Sequence, residues 1–185
     1  ILAKKLKYKK AFGVNKTFAE RKIPGIYDCV SLGYNYRMSE IHAAIGVEQI
    51  KKIPSFLEKR KKNFHYLEKL LNNIEGIKVV PGTSKNLIGS YYCLSILLND
   101  KLKKKRNKII LDLKRKNIGT SIYYPHPVPK MSYYRNKYNY DKKLFFNAEK
   151  FSYNSIALPV GPHVTKKNCE YIFDELLRSI DKYRL

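Results

Sequence analysis

An asparagine and an arginine two residues apart, in a turn rich in glycine and tyrosine, are the first side chains of this chain that could do chemistry. The run Gly33-Tyr34-Asn35-Tyr36-Arg37-Met38-Ser39-Glu40 leads directly into Ile41-His42-Ala43-Ala44-Ile45-Gly46. An Asn amide and an Arg guanidinium hold an anionic group through directed, charge-assisted hydrogen bonds. Ala43, Ala44 and Gly46 let another backbone come close, so the segment reads as a ligand corner feeding a tightly packed helix. The same residues also suit a plain turn that Asn35 and Arg37 cap and brace. A second candidate is Tyr123-Tyr124-Pro125-His126-Pro127. A His held between two prolines at a strand end is pre-positioned to donate or accept a proton near neutral pH. The alternative there is an exposed loop His with no role. The chain has no Gly-rich phosphate loop, no nucleophile elbow and no acid pair at a telling spacing. Cys29, Cys93, Cys169 and the four histidines are too scattered for a metal or redox site. The cysteines read as reduced and mostly buried thiols.

The elements that must position these residues can be read from period and punctuation. Residues 2–12 resemble the end of a helix stopped by Gly13, and residues 14–33 read as irregular, with Pro24-Gly25 as a turn. Ser39 is a good N-cap, with Glu40 where the helix dipole favours an acid. Ile50, Ile53, Leu57, Phe64, Leu67, Leu71 and Ile74 form one stripe of a long helix, interrupted by Arg60 and ended by Gly76. Pro54 should kink or divide that helix. Beyond Gly76 the period shortens. Ile77-Lys78-Val79-Val80 and residues 91–98 read as strands, the second apolar and covered on both faces. Tyr91-Tyr92 reads as core packing. Asp100 opens a helix with Leu102, Ile109, Ile110 and Leu113 inward; Gly119 ends it, and residues 120–124 give a third strand. A stiff proline loop, a short helix at 142–152 and an extended segment at 155–159 follow. His163 belongs to the entry of a last helix capped by Thr165, with Cys169, Ile172, Phe173, Leu176 and Ile180 on one face. This order predicts a compact α+β domain from about residue 76 onward.

Composition narrows the function classes. The net charge is +23 over 185 residues, which raises nucleic-acid binding, and 16 Tyr with 8 Phe could supply stacking surfaces. Most of the charge is lysine spread along the whole chain, and its densest run, 101–108, falls on an amphipathic helix where Lys makes a solvated face. A nucleic-acid partner is therefore a minor reading, and a weaker role for the charge, raising the local potential for a phosphorylated substrate, stays open beside it. No run is long and apolar enough to cross a membrane and no signal segment is evident, so a cytoplasmic protein is expected. The first residue is Ile1, already helix-like in context, which suggests a piece of a longer protein.

The order of motifs resembles a known family. Gly33-Tyr34-Asn35-Tyr36-Arg37-Met38 into Glu40-Ile41-His42-Ala43-Ala44-Ile45-Gly46 resembles the signature of the DegT/DnrJ/StrS sugar aminotransferases, pyridoxal-phosphate enzymes of fold type I. Ser90-Tyr91-Tyr92 resembles that family's small-domain strand, and residues 117–127 its strand and proline loop. Ala157-Leu158-Pro159-Val160-Gly161-Pro162 resembles its late leucine-proline turn, and residues 2–13 the helix that follows the cofactor lysine.

The resemblance implies a fold and an activity. The fold would be the α+β C-terminal small domain of a fold type I aminotransferase plus the end of its α/β large domain. Residues 1–38 would close the large domain, 39–75 form a long interdomain helix, and 76–185 the small domain. The activity would be transfer of an amino group, usually from glutamate, to a keto-sugar carried on a nucleotide, with pyridoxal 5′-phosphate doing the electronic work. The family is homodimeric with shared active sites. Asn35 would reach the cofactor phosphate of the partner subunit, and Arg37 would lie by the same anionic region or by the substrate phosphates. Tyr34, Tyr124 and His126 would border the sugar. The cofactor lysine would lie upstream of Ile1, leaving this chain without a catalytic residue of its own and inactive alone. A dehydratase of the same family that uses the amine form of the cofactor, a basic nucleic-acid-binding module and a non-catalytic regulator are the competing readings.

Overall fold

The computed structural model of the protein describes residues 1–84, 86–138, 140 and 144–184. The chain divides into two compact units, Ile1–Lys52 and Ile53–Leu185.

The first unit opens with helix α1, Leu2–Lys9. The helix stops before Gly13, earlier than expected, because Lys10 caps it and Phe12 and Gly13 both take positive φ, 62° and 74°. The Gly13 amide then bonds back to the Tyr8 carbonyl at 2.9 Å. Residues 34–36 run antiparallel beside 9–12. Tyr34 N bonds Lys9 O (2.7 Å), Phe12 N bonds Tyr34 O (3.0 Å) and Tyr36 N bonds Lys10 O (2.9 Å). This crossing explains two glycines. A Cβ on Gly33 would sit 2.1 Å from the Gly13 nitrogen, and one on Gly13 only 1.7 Å from the Ser31 carbonyl oxygen. The segment between is irregular apart from a bridge of Val14 with Cys29 and a 3₁₀ turn, Phe18–Glu20.

Helix α2, Glu40–Leu71, begins at Ser39, whose Oγ accepts from the His42 amide at 3.3 Å. It runs through Pro54 without dividing. The only bond Pro54 forfeits is the one to the Ile50 carbonyl, and Ile50 is 66% exposed, so water can serve that oxygen. The expected stripe is buried only at its C-terminal end. Phe64, Leu67, Leu71 and Ile74 lie in the core, while Ile50, Ile53 and Leu57 are exposed.

The second unit carries the buried hydrophobic core, which starts at Phe64; in the first unit the only buried residue is Gly13. Strands β1 (Ile77–Val79), β2 (Leu94–Leu98) and, later in the chain, β3 (Ser155–Leu158) form an antiparallel sheet in the order β1-β2-β3. Ile77 faces Leu98, and Leu94 faces Leu158. Strand β2 is shorter than expected and alternates, with Leu94, Ile96 and Leu98 buried and the Ser95/Leu97 face only half covered. Its start is delayed because Tyr91 takes φ +49° and turns its ring onto Phe64 and His65. Of the tyrosine pair, only Tyr91 packs on the core; Tyr92 is exposed.

Asn99 caps helix α3, Asp100–Lys103, by accepting from the amides of Lys101 and Leu102. The helix expected as one piece breaks at Lys104-Lys105 and resumes as α4, Arg106–Arg115, since the crowded like charges of this run disfavour an unbroken helix. Asn117, at φ +57°, takes the left-handed position expected of Gly119. Residues 120–124 are not a strand. Ser121 makes an isolated bridge with Ala157, and the chain soon reaches Pro125, which has no amide to continue a ladder. A 3₁₀ turn, Val128–Lys130, and helix α5, Ser132–Tyr138, follow. The helix expected at 142–152 is α6, Phe146–Asn154; residues 142 and 143 lie outside the described residues. Helix α7, Lys166–Arg184, starts at Thr165, whose Oγ1 accepts from the Asn168 amide, and buries Cys169, Ile172, Leu176 and Ile180, with Phe173 partly covered. It packs against α3 and α4, while α3 and α6 touch β2.

Candidate functional site

The two residues singled out for anion binding are brought together. Arg37 Nε donates to Asn35 Oδ1 at 3.2 Å, and both side chains are exposed. A guanidinium has donors only, so the amide oxygen is the end that Arg37 holds and the Nδ2 group is left as the outward donor. The Arg37 guanidinium lies over the Phe12 ring, 5.2 Å from its centroid, which couples this motif to the turn that follows α1. Tyr34 and Tyr36 stack with ring centroids 5.2 Å apart, on a backbone already pinned by the bonds to residues 9–12.

Beside this corner, within the first unit, is a cavity of about 850 Å³. Lys7, Lys10, Lys16, Arg21 and Arg37 line it together with aromatic residues, and no carboxylate does. Arg21 stacks on Tyr27 at 4.3 Å, and its buried Nε has no hydrogen-bond acceptor. Glu20, the acid that pairs with a lining lysine, reaches Lys7 only at 3.9 Å. It is turned to Thr17, whose backbone and hydroxyl bonds hold its carboxyl below the usual range. A cavity lined by cations and no anion concentrates positive potential and suits a phosphorylated ligand. The lysines and Arg21 were not singled out from sequence. The available signal was the scarcity of Arg against Lys, which makes an Arg in an irregular segment worth noting.

Tyr124 and His126 belong to the second unit. Both are exposed, and they engage different neighbours. The Tyr124 ring packs edge-on against Tyr123, and His126 Nδ1 lies 3.3 Å from the Tyr153 hydroxyl. Among the described residues, no group of three His, Cys, Asp or Glu side chains is placed to hold a metal ion, and no helix is long and apolar enough to cross a membrane. Of the cysteines only Cys169 is buried. Cys93 is half-buried and Cys29 is exposed, with its thiol on the Phe12 carbonyl at 3.1 Å.

Residues 1–177 match the DegT/DnrJ/EryC1/StrS aminotransferase family, and the chain belongs to it. It is 31% identical over 168 residues to an uncharacterised protein of Methanocaldococcus jannaschii, covering 89% of this chain and 43% of that protein. It is 27% identical to the UDP-4-amino-4,6-dideoxy-N-acetyl-beta-L-altrosamine transaminase of Campylobacter jejuni, over 85% of this chain and 41% of the transaminase. Among solved structures it superposes on Helicobacter pylori PseC, an aminotransferase of pseudoaminic acid biosynthesis, with a TM-score of 0.85 at 21% identity. That match covers 96% of this chain and 45% of PseC. The chain thus spans less than half the length of the proteins it matches. The fold is that of fold type I aminotransferases, the α+β small domain with the end of the α/β large domain. Nothing in these matches favours a nucleic-acid-binding module.

Proposed function

We propose that these residues form the cofactor-phosphate corner and the small domain of a pyridoxal-phosphate-dependent aminotransferase. Its acceptor is a nucleotide-linked keto-sugar and its donor an amino acid, glutamate first. The observation that carries the reading is the pinned Asn35–Arg37 pair beside a cavity with cations and no acid. Family membership and the names of the relatives, one a UDP-sugar transaminase, support it.

The residues present fit the cofactor's phosphate. Asn35 Nδ2 is an exposed donor with its amide orientation set by Arg37, and no carboxylate lines the adjoining cavity to repel an anion. Asn35 would hold the phosphate, and Arg37 would neutralise it or a substrate phosphate from the side. Pyridoxal phosphate, when bound, supplies the electron sink that lets an amino group move between carbons. Stacked Tyr34 and Tyr36 would wall the ligand from water. Tyr124 would lend a hydroxyl to the sugar, and His126, oriented by Tyr153, would exchange a proton with it.

The domain reading keeps 1–38, 39–75 and 76–185 as large-domain end, interdomain helix and small domain. The lysine that carries the cofactor belongs, in this reading, outside the present 185 residues, so this chain alone does not transaminate. The apolar side chains left exposed in the first unit, among them Leu6, Ile26, Leu32 and Ile45, are the surface that the rest of the enzyme and a second copy would cover. The test uses the full-length protein. It should take up pyridoxal phosphate, run as a dimer, and pass the amino group of glutamate to a UDP-linked 4-keto-sugar. A protein that binds no pyridoxal phosphate would sink the reading.

A further inference from the structure

A second cavity, of about 340 Å³, lies wholly within the second unit, and nothing above uses it. It is organised by Arg60, the residue that interrupts the apolar stripe of α2. Tyr92, Cys93, Thr120, Ser121 and Tyr123 form a polar wall, and residues 157–163, which include the His163 imidazole, close the other side. Neither an acid nor a second Lys or Arg lines it.

Three features point to an anion. The Arg60 Nε is buried with no hydrogen-bond acceptor, and among the described residues Arg60 makes no salt bridge. A buried guanidinium donor without a partner is costly and is ordinarily satisfied. The guanidinium is held in place by the Tyr92 ring, 5.7 Å from its centroid. Tyr92 and Tyr123 meet edge-on with ring centroids 6.0 Å apart, and the Tyr123 hydroxyl pushes the Tyr92 pKa up, so this wall carries no negative charge near neutral pH. The floor is also fixed. Asn63, one turn along α2, donates to the carbonyls of Gly161 and Val164 at 3.0 and 2.8 Å, which pins the loop that closes the cavity.

We propose that this cavity is a binding site for a small carboxylate, seated on the Arg60 guanidinium and flanked by the hydroxyls of Thr120, Ser121 and Tyr123. The planar fork of a guanidinium matches a carboxylate in a bidentate pair. One cation among hydroxyls balances one carboxylate charge. A phosphate dianion is better served by several cations, as in the cavity of the first unit. The inference stands on the second unit alone and does not rest on the transamination reading.

The test is titration of the whole chain with butyrate by calorimetry, and with inorganic phosphate in parallel. Alkylation of Cys93, resolved from Cys29 by peptide mass, provides a second readout. Butyrate should bind and protect Cys93 while phosphate does not protect it. Arg60→Met should weaken butyrate at least about tenfold, the loss of a charged hydrogen bond. Arg60→Lys should fall between, keeping the charge without the fork. Thr120→Val, distant from α2 in sequence, serves if Arg60→Met fails to fold and should also weaken binding. No butyrate binding by the natural sequence, equal protection by phosphate, or unchanged affinity in a folded Arg60→Met or Thr120→Val protein each overturns the proposal.

Discussion

Arg37 Nε and Asn35 Oδ1 meet at 3.2 Å across a single intervening residue, so the guanidinium decides which end of the asparagine amide faces out. This makes Asn35 a donor of fixed direction. Asn35→Ala in the full-length enzyme removes it and should weaken pyridoxal-phosphate affinity by about 1.5–3 kcal/mol, roughly 10- to 100-fold, the range for a hydrogen bond to a charged group. Asn35→Asp should be worse, because a carboxylate faces the phosphate and pairs with Arg37 instead. Equilibrium dialysis of the cofactor reads both. An Asn35→Asp protein that binds as well as the parent would remove Asn35 from the phosphate site.

The first unit holds its crossing by backbone bonds and by Gly13 against Gly33, and buries no apolar side chain. Local stability follows buried apolar contacts, so this unit should open more readily than the second. Limited proteolysis of the 185-residue chain should cut first within residues 14–33 and leave a resistant product containing the sheet and α7. Earlier cleavage within α7 than within 14–33 would contradict the burial pattern.

The sequence was most legible where one local rule acted without competition. Thr165 and the stripe from Cys169 to Ile180 specify α7, and Ser39 marks the start of α2, because a cap and a 3.6-residue period agree at each. It misled where tertiary context decided. Pro54 does not divide α2, since the amide it lacks serves an exposed turn. Residues 120–124 carry strand-forming side chains, yet only Ser121 finds a partner strand. Ile50, Ile53 and Leu57 belong to the apolar stripe, yet this chain does not bury them. At the site, residue types gave Asn35 and Arg37 away. Arg60 registers in the sequence only as a break in the stripe and Arg21 not at all, because the significance of each is a missing partner that shows only in three dimensions.

Asn63 ties the middle of α2 to the loop before α7 through bonds to Gly161 and Val164 over about 100 residues of chain. Asn63→Ala leaves two part-buried carbonyls without their donor and should cost about 1–3 kcal/mol in urea unfolding. Asn63→Asp should cost more, since a carboxylate cannot donate to either carbonyl. The m-value should hold, because the loss is local. Unchanged midpoints for both variants would show that the loop is held by its packing alone.

The acid limb of stability should belong in part to Asp112. Burial pushes its carboxyl up, but bonds from Lys182 at 3.1 Å and Tyr183 at 2.9 Å, with Arg115 beside it, outweigh burial and hold it below the usual value. A depressed folded pKa gives stability that is present above the unfolded value, about 3.9, and is lost as pH falls through the folded one. At the alkaline end the sign reverses. The bond to Asp112 raises Lys182, and the bond from its hydroxyl to Glu170 at 2.6 Å pushes Tyr66 up to about 12. Their stabilisation is complete below the unfolded values, about 10, and fades above them. Asp112→Asn should therefore be less stable than the parent at pH 7, with the gap closing below about pH 4 as the parent loses its charge. Urea midpoints for the two proteins between pH 2 and 8 measure it. A gap that stays constant down to pH 2 would mean that Asp112 contributes through packing and neutral hydrogen bonds, not through its charge.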